Sequence, residues 1–166
     1  VPKTSLQKPS SFPIYRESPK KMYLPKYYGY KEYGEPEEIR LKDGEDIHIN
    51  FNGDLRDFQK PIVDAYLKAA HKNGGGLLEI HTGAGKTVMG LNIISQLKKK
   101  TLIIVHKDFL LRQWLERIEQ FLPNAKVGKI QGKIIDVDDK DIVIGMLQSL
   151  SMKDYPQKLF EQFGLS

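Results

Sequence analysis

The chain has 166 residues, enough for one full domain or for one domain with an arm, and its lack of cysteine excludes disulfides while permitting a reducing compartment. A formal net charge of +5 favours a polyanionic partner only modestly. No apolar run approaches the roughly 18–20 residues of a membrane span, and the polar, proline-rich start does not read as a signal peptide, so the expectation is an intracellular protein (nuclear, cytoplasmic or viral) rather than a secreted one.

The first 50 residues stand apart in composition. They hold Pro2, Pro9, Pro13, Pro19, Pro25 and Pro36, with Tyr15, Tyr23, Tyr27, Tyr28, Tyr30 and Tyr33. Residues 1–11 read as a linker or a disordered segment. Residues 12–34 read as irregular segments laid over a neighbouring surface. Lys20, Lys21 and Lys26 among those tyrosines suit base stacking and phosphate neutralisation; the competing reading packs the aromatics against protein. A short strand follows over residues 47–51, with Ile47, Ile49 and Phe51 inward and His48 and Asn50 outward.

Asn52-Gly53 signals a turn, and Leu55-Arg56-Asp57-Phe58-Gln59 opens a helix reaching about Ala70. Its apolar face is Ile62, Val63, Tyr66, Leu67 and Ala70. Pro61 is tolerated only near the first turn, which places the start close to Asp57. Residues 73–76 end this helix and release an apolar strand over residues 77–80.

The stretch after that strand is Thr82-Gly83-Ala84-Gly85-Lys86-Thr87, and an amphipathic helix follows it to about Lys98. A strand, a glycine turn and a helix start in succession leave backbone N–H groups in one concavity beside a helix N-terminus. Gly83 and Gly85 permit close approach of a phosphate. Lys86 supplies a cation for the outer phosphates, and the Thr87 hydroxyl can ligate Mg²⁺. The strict form of this pattern wants glycine where Ile80 stands. The bland alternative is an ordinary glycine loop before a surface lysine.

The new helix should bury Val88, Leu91, Ile94 and Leu97, and Lys98-Lys99-Lys100 reads as its solvated end. Residues 102–105 form a fully apolar run, as a central parallel strand does. A helix from about Asp108 directs Leu111, Trp114 or Leu115, Ile118 and Phe121 inward and stops before Pro123. Residues 125–130 read as a further strand, with Gln131-Gly132-Lys133 after it. The acidic run of Asp136, Asp138, Asp139 and Asp141 lacks a preceding apolar strand and reads as a hairpin turn, not as a metal site. Residues 142–147 are a buried strand, and Gln148-Ser149-Leu150 lie at its exit.

In this order the segments resemble the first RecA-like domain of superfamily 2 helicases over residues 55–164, nearest to the XPB/UvsW-type and poxvirus-like branches. Thr-Gly-x-Gly-Lys-Thr is the phosphate loop of that family. The Leu55 to Gln59 stretch, about 27 residues before Lys86, resembles its adenine-reading element. The resemblance implies that Gln59 reads the adenine edge through its amide, with Arg56 nearby, and that ATP and Mg²⁺ are the cofactors. It also implies nucleic-acid contacts at Lys107, Gln113, Gly132, Lys133, Gln148 and Ser149. His106-Lys107-Asp108 replaces the usual Pro-Thr-Arg/Lys, and Asp108 is alternatively a helix cap. The Tyr/Pro-rich start resembles that of helicases encoded by large DNA viruses.

The expected architecture is therefore an α/β, RecA-like, three-layer (αβα) fold. It has a mostly parallel sheet, with strands from Leu77, Leu102, Lys126 and Ile142. Residues 1–50 form an irregular arm and residues 51–166 an incomplete first RecA-like domain. In the family an apolar strand ending Asp-Glu-x-His follows the Gln-Ser element, and a second RecA-like domain supplies an arginine finger. The chain stops at Ser166, where that strand is due, so the expectation is a motor fragment that binds nucleotide without hydrolysing it. Its nucleic acid is expected to be DNA, with RNA also open. Two other readings stand beside this one: a P-loop phosphotransferase acting on a small molecule, and a non-catalytic nucleic-acid-binding module with a vestigial loop.

Overall fold

In a computed structural model, which describes residues 13–39 and 42–165, the chain opens with a small antiparallel hairpin. Its strands are β1 (Arg16–Ser18) and β2 (Lys21–Tyr23), and Arg16 lies opposite Tyr23. Helix α1 (Lys26–Tyr33) follows, entered at Pro25 and closed by Gly34, whose N–H donates to the Tyr30 carbonyl at 3.0 Å. This part is more regular than the irregular arm expected, because Pro19 bends the hairpin and Pro25 starts a helix where no N–H donor is needed. The linker expected over residues 1–11 lies outside the described residues.

Residues 1–40 and 41–166 form separate units. The division therefore falls earlier than residue 50, since Ile47 and Ile49 are buried in the main core. Their alternation with exposed His48 and Asn50 matches the expected strand. No ladder forms there, only a single bridge from Asp46 to Lys99.

The second unit contains α2 (Lys60–Asn73), α3 (Lys86–Leu97), β3 (Thr101–Val105), α4 (Asp108–Phe121), β4 (Val127–Gln131), β5 (Ile134–Ile135), β6 (Ile142–Met146), α5 (Leu147–Met152) and α6 (Gln157–Phe160). The sheet order is β3-β6-β4-β5. Strands β3, β6 and β4 run parallel, and β5 turns back antiparallel on β4 through Gly132-Lys133. The β3–α4–β4 crossover leaves the central place to β6, whose Ile142, Val143 and Ile144 are fully buried.

Alternation along these strands sends side chains to two cores. Ile103, Val105, Ile142 and Ile144 meet Leu91 and Ile94 of α3 and Leu111 and Ile118 of α4. Leu102, Val143 and Ile130 face the other way, against Leu150, Tyr155, Leu159 and Phe163. Trp114, not Leu115, turns toward the first core. Helix α3 is buried more broadly than its amphipathic pattern implies, because Met89 and Ile93 pack on Val63 of α2 while Leu91 and Ile94 pack on the sheet.

The strand expected over residues 77–80 is not formed, and Leu77 is 89% exposed. Leu78 and Ile80 instead pack beside α2 and α3. A strand needs a ladder partner, and β3 spends one edge on β6. At its other edge Leu165 alone makes a parallel bridge to Thr101, and the Leu102 N–H donates to the Leu165 carbonyl at 2.9 Å. An apolar slot of about 280 Å³ borders this edge, lined by Tyr66, Leu78, Ile93, Ile104 and Leu165 among others.

The triple lysine is not a solvated end. Lys98 closes α3 in the left-handed conformation, Lys99 pairs with Asp46 at 2.8 Å, and Lys100 is 2% exposed. The Lys100 ammonium meets the Glu45 carboxylate at 3.1 Å, the Gln162 amide oxygen and the Phe163 ring. It ties three distant stretches of chain together.

Candidate functional site

The chain over residues 81–85 turns sharply. Gly83 (φ +86°) and Gly85 (φ +84°) occupy the left-handed region that side chains disfavour. Ala84 between them is buried. No side chain caps α3, so the first-turn N–H groups of Lys86, Thr87 and Val88 are available to an anion. Nothing lies within 4 Å of where a Gly83 Cβ would stand, which leaves the loop open on that side. Lys86 folds back across it, its Nζ donating to the carbonyls of Ile80 at 3.0 Å and His81 at 3.1 Å. An arriving phosphate would compete with these two neutral oxygens for the ammonium, and a charged acceptor is the stronger partner.

Gln59 stands directly against this loop. It is 3% exposed, and its Nε2 donates to the Ala84 carbonyl at 2.7 Å. Its Oε1 accepts the Arg56 backbone N–H at 2.9 Å. Helix α2 begins just after it, later than the Asp57 start expected, because residues 57–59 form a turn. A primary amide has two donor hydrogens and two acceptor lone pairs. One of each is engaged here, and one of each is left over. The glutamine thus ties the loop to α2 and retains hydrogen-bonding capacity.

The donor set suits a polyphosphate: open amides, two turns with no Cβ, one mobile cation and the Thr87 hydroxyl. Those residues would hold the phosphates, and the Thr87 hydroxyl would be a protein ligand of Mg²⁺. Among the described residues no three acidic or histidine side chains converge on a metal site. The acidic run after β5 is engaged otherwise. Asp139 pairs with Lys126 at 2.8 Å, Asp136 pairs with Lys140, and the Asp141 carboxylate accepts the Lys126 backbone N–H. A groove of about 410 Å³ lies between α2 and residues 76–79 and contains no loop residue. It is shallow and apolar, so the chemistry points to the loop.

A second set of side chains gathers beyond the carboxyl ends of β3, β4 and β6, which the parallel topology brings to one edge. The Gly132 N–H donates to the Ser149 Oγ at 2.8 Å, and Gln148 Nε2 donates to the His106 carbonyl at 2.9 Å. Gln131 Nε2 donates to the Asp108 carboxylate at 3.0 Å. Lys107 sits at the N-cap of α4, and Lys133 is exposed in the hairpin turn. Asp108 does not cap that helix; it is the first helical residue and pairs with Arg112 at 2.9 Å. Gln113 is exposed one turn further on, outside the bonds that join the cluster. Sequence reasoning missed Lys153, which donates to the Gly132 carbonyl, and Tyr155, whose hydroxyl donates to the Ser149 carbonyl. Their only signal was position, four and six residues past Ser149.

Comparison with known proteins fits this geometry. The family described as "Type III restriction enzyme, res subunit" matches residues 52–165. The chain is 35% identical over 160 residues to "Putative ATP-dependent RNA helicase L396" of Acanthamoeba polyphaga mimivirus, covering 95% of this chain and 31% of that protein. It is 31% identical over 117 residues to "Putative ATP-dependent RNA helicase QP509L" of African swine fever virus, covering 67% of this chain and 23% of the relative. "Putative helicase 161L" of Invertebrate iridescent virus 6 is 30% identical over 122 residues, covering 71% of this chain and 28% of the relative. The chain therefore spans under a third of the length of these relatives. Among solved structures, the Sulfolobus solfataricus SWI2/SNF2 ATPase core in complex with dsDNA aligns with a TM-score of 0.54 at 20% identity, over 69% of this chain and 25% of that one. That likeness is one of fold.

Proposed function

This chain belongs to the family of the type III restriction enzyme res subunit, the first domain of superfamily 2 helicases, and from that premise we propose that it is the ATP-binding part of a nucleic-acid helicase or translocase. The observation that carries this reading is the loop over residues 82–87: two left-handed glycines, an uncapped helix start and Lys86 held only by two carbonyls. Lys86 and the amides receive the β- and γ-phosphates, and the Thr87 hydroxyl would hold Mg²⁺. Gln59 offers its spare donor and acceptor to the adenine edge, with Arg56 beside it. Mg²⁺, when bound, neutralises charge developing on the transferred phosphate. The role of the protein here is to position and to exclude.

The cluster at the strand ends takes a single strand. Lys107, Lys133, Gln148, Ser149 and the turn at Gly132 address phosphates, with Gln113 next along α4. Such contacts predict salt-dependent and largely sequence-independent binding. They address a group common to DNA and RNA, and both polymers belong in the test. Turnover needs acids and a second domain from a longer protein, as the length of the relatives allows.

The test is a titration with a fluorescent ATP analogue in Mg²⁺, in parent and Lys86→Ala chains, alongside filter binding of single-stranded DNA, RNA and a phosphorylated metabolite. Affinity for the nucleotide should fall at least about tenfold in Lys86→Ala. Equal affinity in both chains would mark the loop as vestigial and overturn the reading. Capture of the metabolite rather than the strands would favour a small-molecule phosphotransferase.

A further inference from the structure

The unit over residues 13–39 lies outside the family match, which begins at residue 52. The mimivirus relative, aligned over 160 residues, includes it nonetheless. Six of the eight tyrosines of the chain are here. From residue 13 to 31 the charged side chains are Arg16, Lys20, Lys21, Lys26 and Lys31 against Glu17 alone; residues 32–39 carry only acids. The basic and aromatic residues thus share the hairpin and α1.

Cross-strand register sorts the hairpin into two faces. Arg16, Tyr23, Ser18 and Lys21 share one face. Tyr15, Met22 and Leu24 share the other and meet Tyr28 and Tyr33 around a pocket of about 310 Å³. A hairpin this short is marginal by itself and gains from packing on α1. The packing stays open: Ile14 is 73% exposed and Tyr33 75%. Lys26 stands 5.7 Å from the ring centroids of both Tyr27 and Tyr30, so cation and aromatic face are already paired. What would cover such a surface? Protein interfaces are depleted in lysine at their cores, whereas grooves for single strands combine lysine with stacking rings.

We propose that this N-terminal unit is a second binding site for single-stranded nucleic acid, which takes a base in the tyrosine-lined pocket on one face of the hairpin and wraps around the hairpin to set neighbouring phosphates on Arg16, Lys20 and Lys21 at its turn and opposite face. The site is additional to the strand-end cluster and rests on the helicase reading only for the class of polymer.

The experiment uses the whole chain and fluorescently labelled oligo-dT and oligo-U, followed by anisotropy across a salt series. Three variants are compared: Tyr15→Ala with Tyr28→Ala, Lys20→Glu with Lys21→Glu, and Lys107→Ala with Lys133→Ala. The lysine pair lies at the exposed hairpin turn, away from the pocket, so it reports even where the tyrosine pair disturbs local folding. The tyrosine pair should weaken binding about tenfold or more. The Lys20/Lys21 pair should make the slope of log affinity against log salt shallower by about 1.4. Ultraviolet crosslinking of oligo-dT should label a peptide within residues 13–39. If the parent affinity and slope persist in both arm variants and crosslinks fall only in the core, the proposal is overturned, and a protein partner becomes the cover. The Lys107/Lys133 variant separates the two readings: its loss of binding beside intact arm variants sinks the arm site alone, and the reverse sinks the core site alone.

Discussion

Gln59 and Ala84, 25 positions apart, are joined by one hydrogen bond of 2.7 Å from the glutamine Nε2 to the alanine carbonyl. The bond makes the start of α2 and the glycine loop one unit. A Cβ added at Gly85 would meet the same Nε2 at 2.5 Å, in a backbone conformation of φ +84°. Gln59→Ala should cost about 1–2 kcal/mol of stability through the bonds lost. It should also weaken nucleotide binding by more than that stability loss explains. Gly85→Ala should cost about 1–3 kcal/mol from strain and crowding and abolish nucleotide binding. Urea denaturation and titration of a fluorescent ATP analogue measure both. A Gln59→Ala chain with parent affinity would show that the bond does not shape the loop.

The Lys100 ammonium is buried, while its partner Glu45 is 63% exposed. Removing one or the other has unequal consequences. Lys100→Met replaces the cation with an apolar side chain of similar length and lets Glu45 hydrate, so stability should change by under about 1 kcal/mol. Glu45→Ala strands the ammonium with the Gln162 amide and a ring face, and should cost about 2 kcal/mol. Urea midpoints for the two variants decide it. A Lys100→Met chain less stable than Glu45→Ala would contradict the account.

Three surface carboxylates, of which Glu161 is half-buried, are held below their ordinary range by lysines: Asp46 by its hydrogen bond to Lys99, Asp139 by that to Lys126, and Glu161 by that to Lys42. A depressed carboxylate contributes stability that is present above its unfolded pKa and lost as pH falls through the folded one. Melting temperature should therefore decline below about pH 4. Lys126 is raised by the Asp139 hydrogen bond. Its share is present below the ordinary lysine pKa and lost as pH climbs through the raised one. Both effects should shrink in high salt, most at the Lys126–Asp139 pair, whose two side chains are exposed. Thermal melts of parent and Asp139→Asn from pH 2.5 to pH 11 test this: the variant curve should be flatter at both ends.

Local pattern carried much of this protein into view. Gly83 and Gly85 announce a tight turn before a helix, and both stand at positive φ ahead of α3. The burial of residues 142–145, within the strand expected over 142–147, follows from a strand covered on both faces; the apolar run at residues 102–105, expected to be central, is instead the edge strand β3, with Ile104 49% exposed. The periodicity of α4 is also visible, since one stripe meets the sheet. These are properties of neighbours in sequence. Pairing is not. Residues 77–80 have the composition of a strand and lack a ladder, because β3 offers one edge to β6 and the other to Leu165. Lys100 reads as solvated until Glu45 and Gln162, 55 and 62 residues away, arrive beside it.

The sequence by itself determined the kind of element at most positions and the turn at residues 82–85, because propensity, periodicity and turn geometry are set by adjacent residues. Tertiary structure alone decided what the polar groups of Gln59, Lys100 and Ser149 bond to, and which strands share an edge. Such partners lie far along the chain, and a hydrogen bond or ladder forms only where folding has already brought donor and acceptor within about 3 Å.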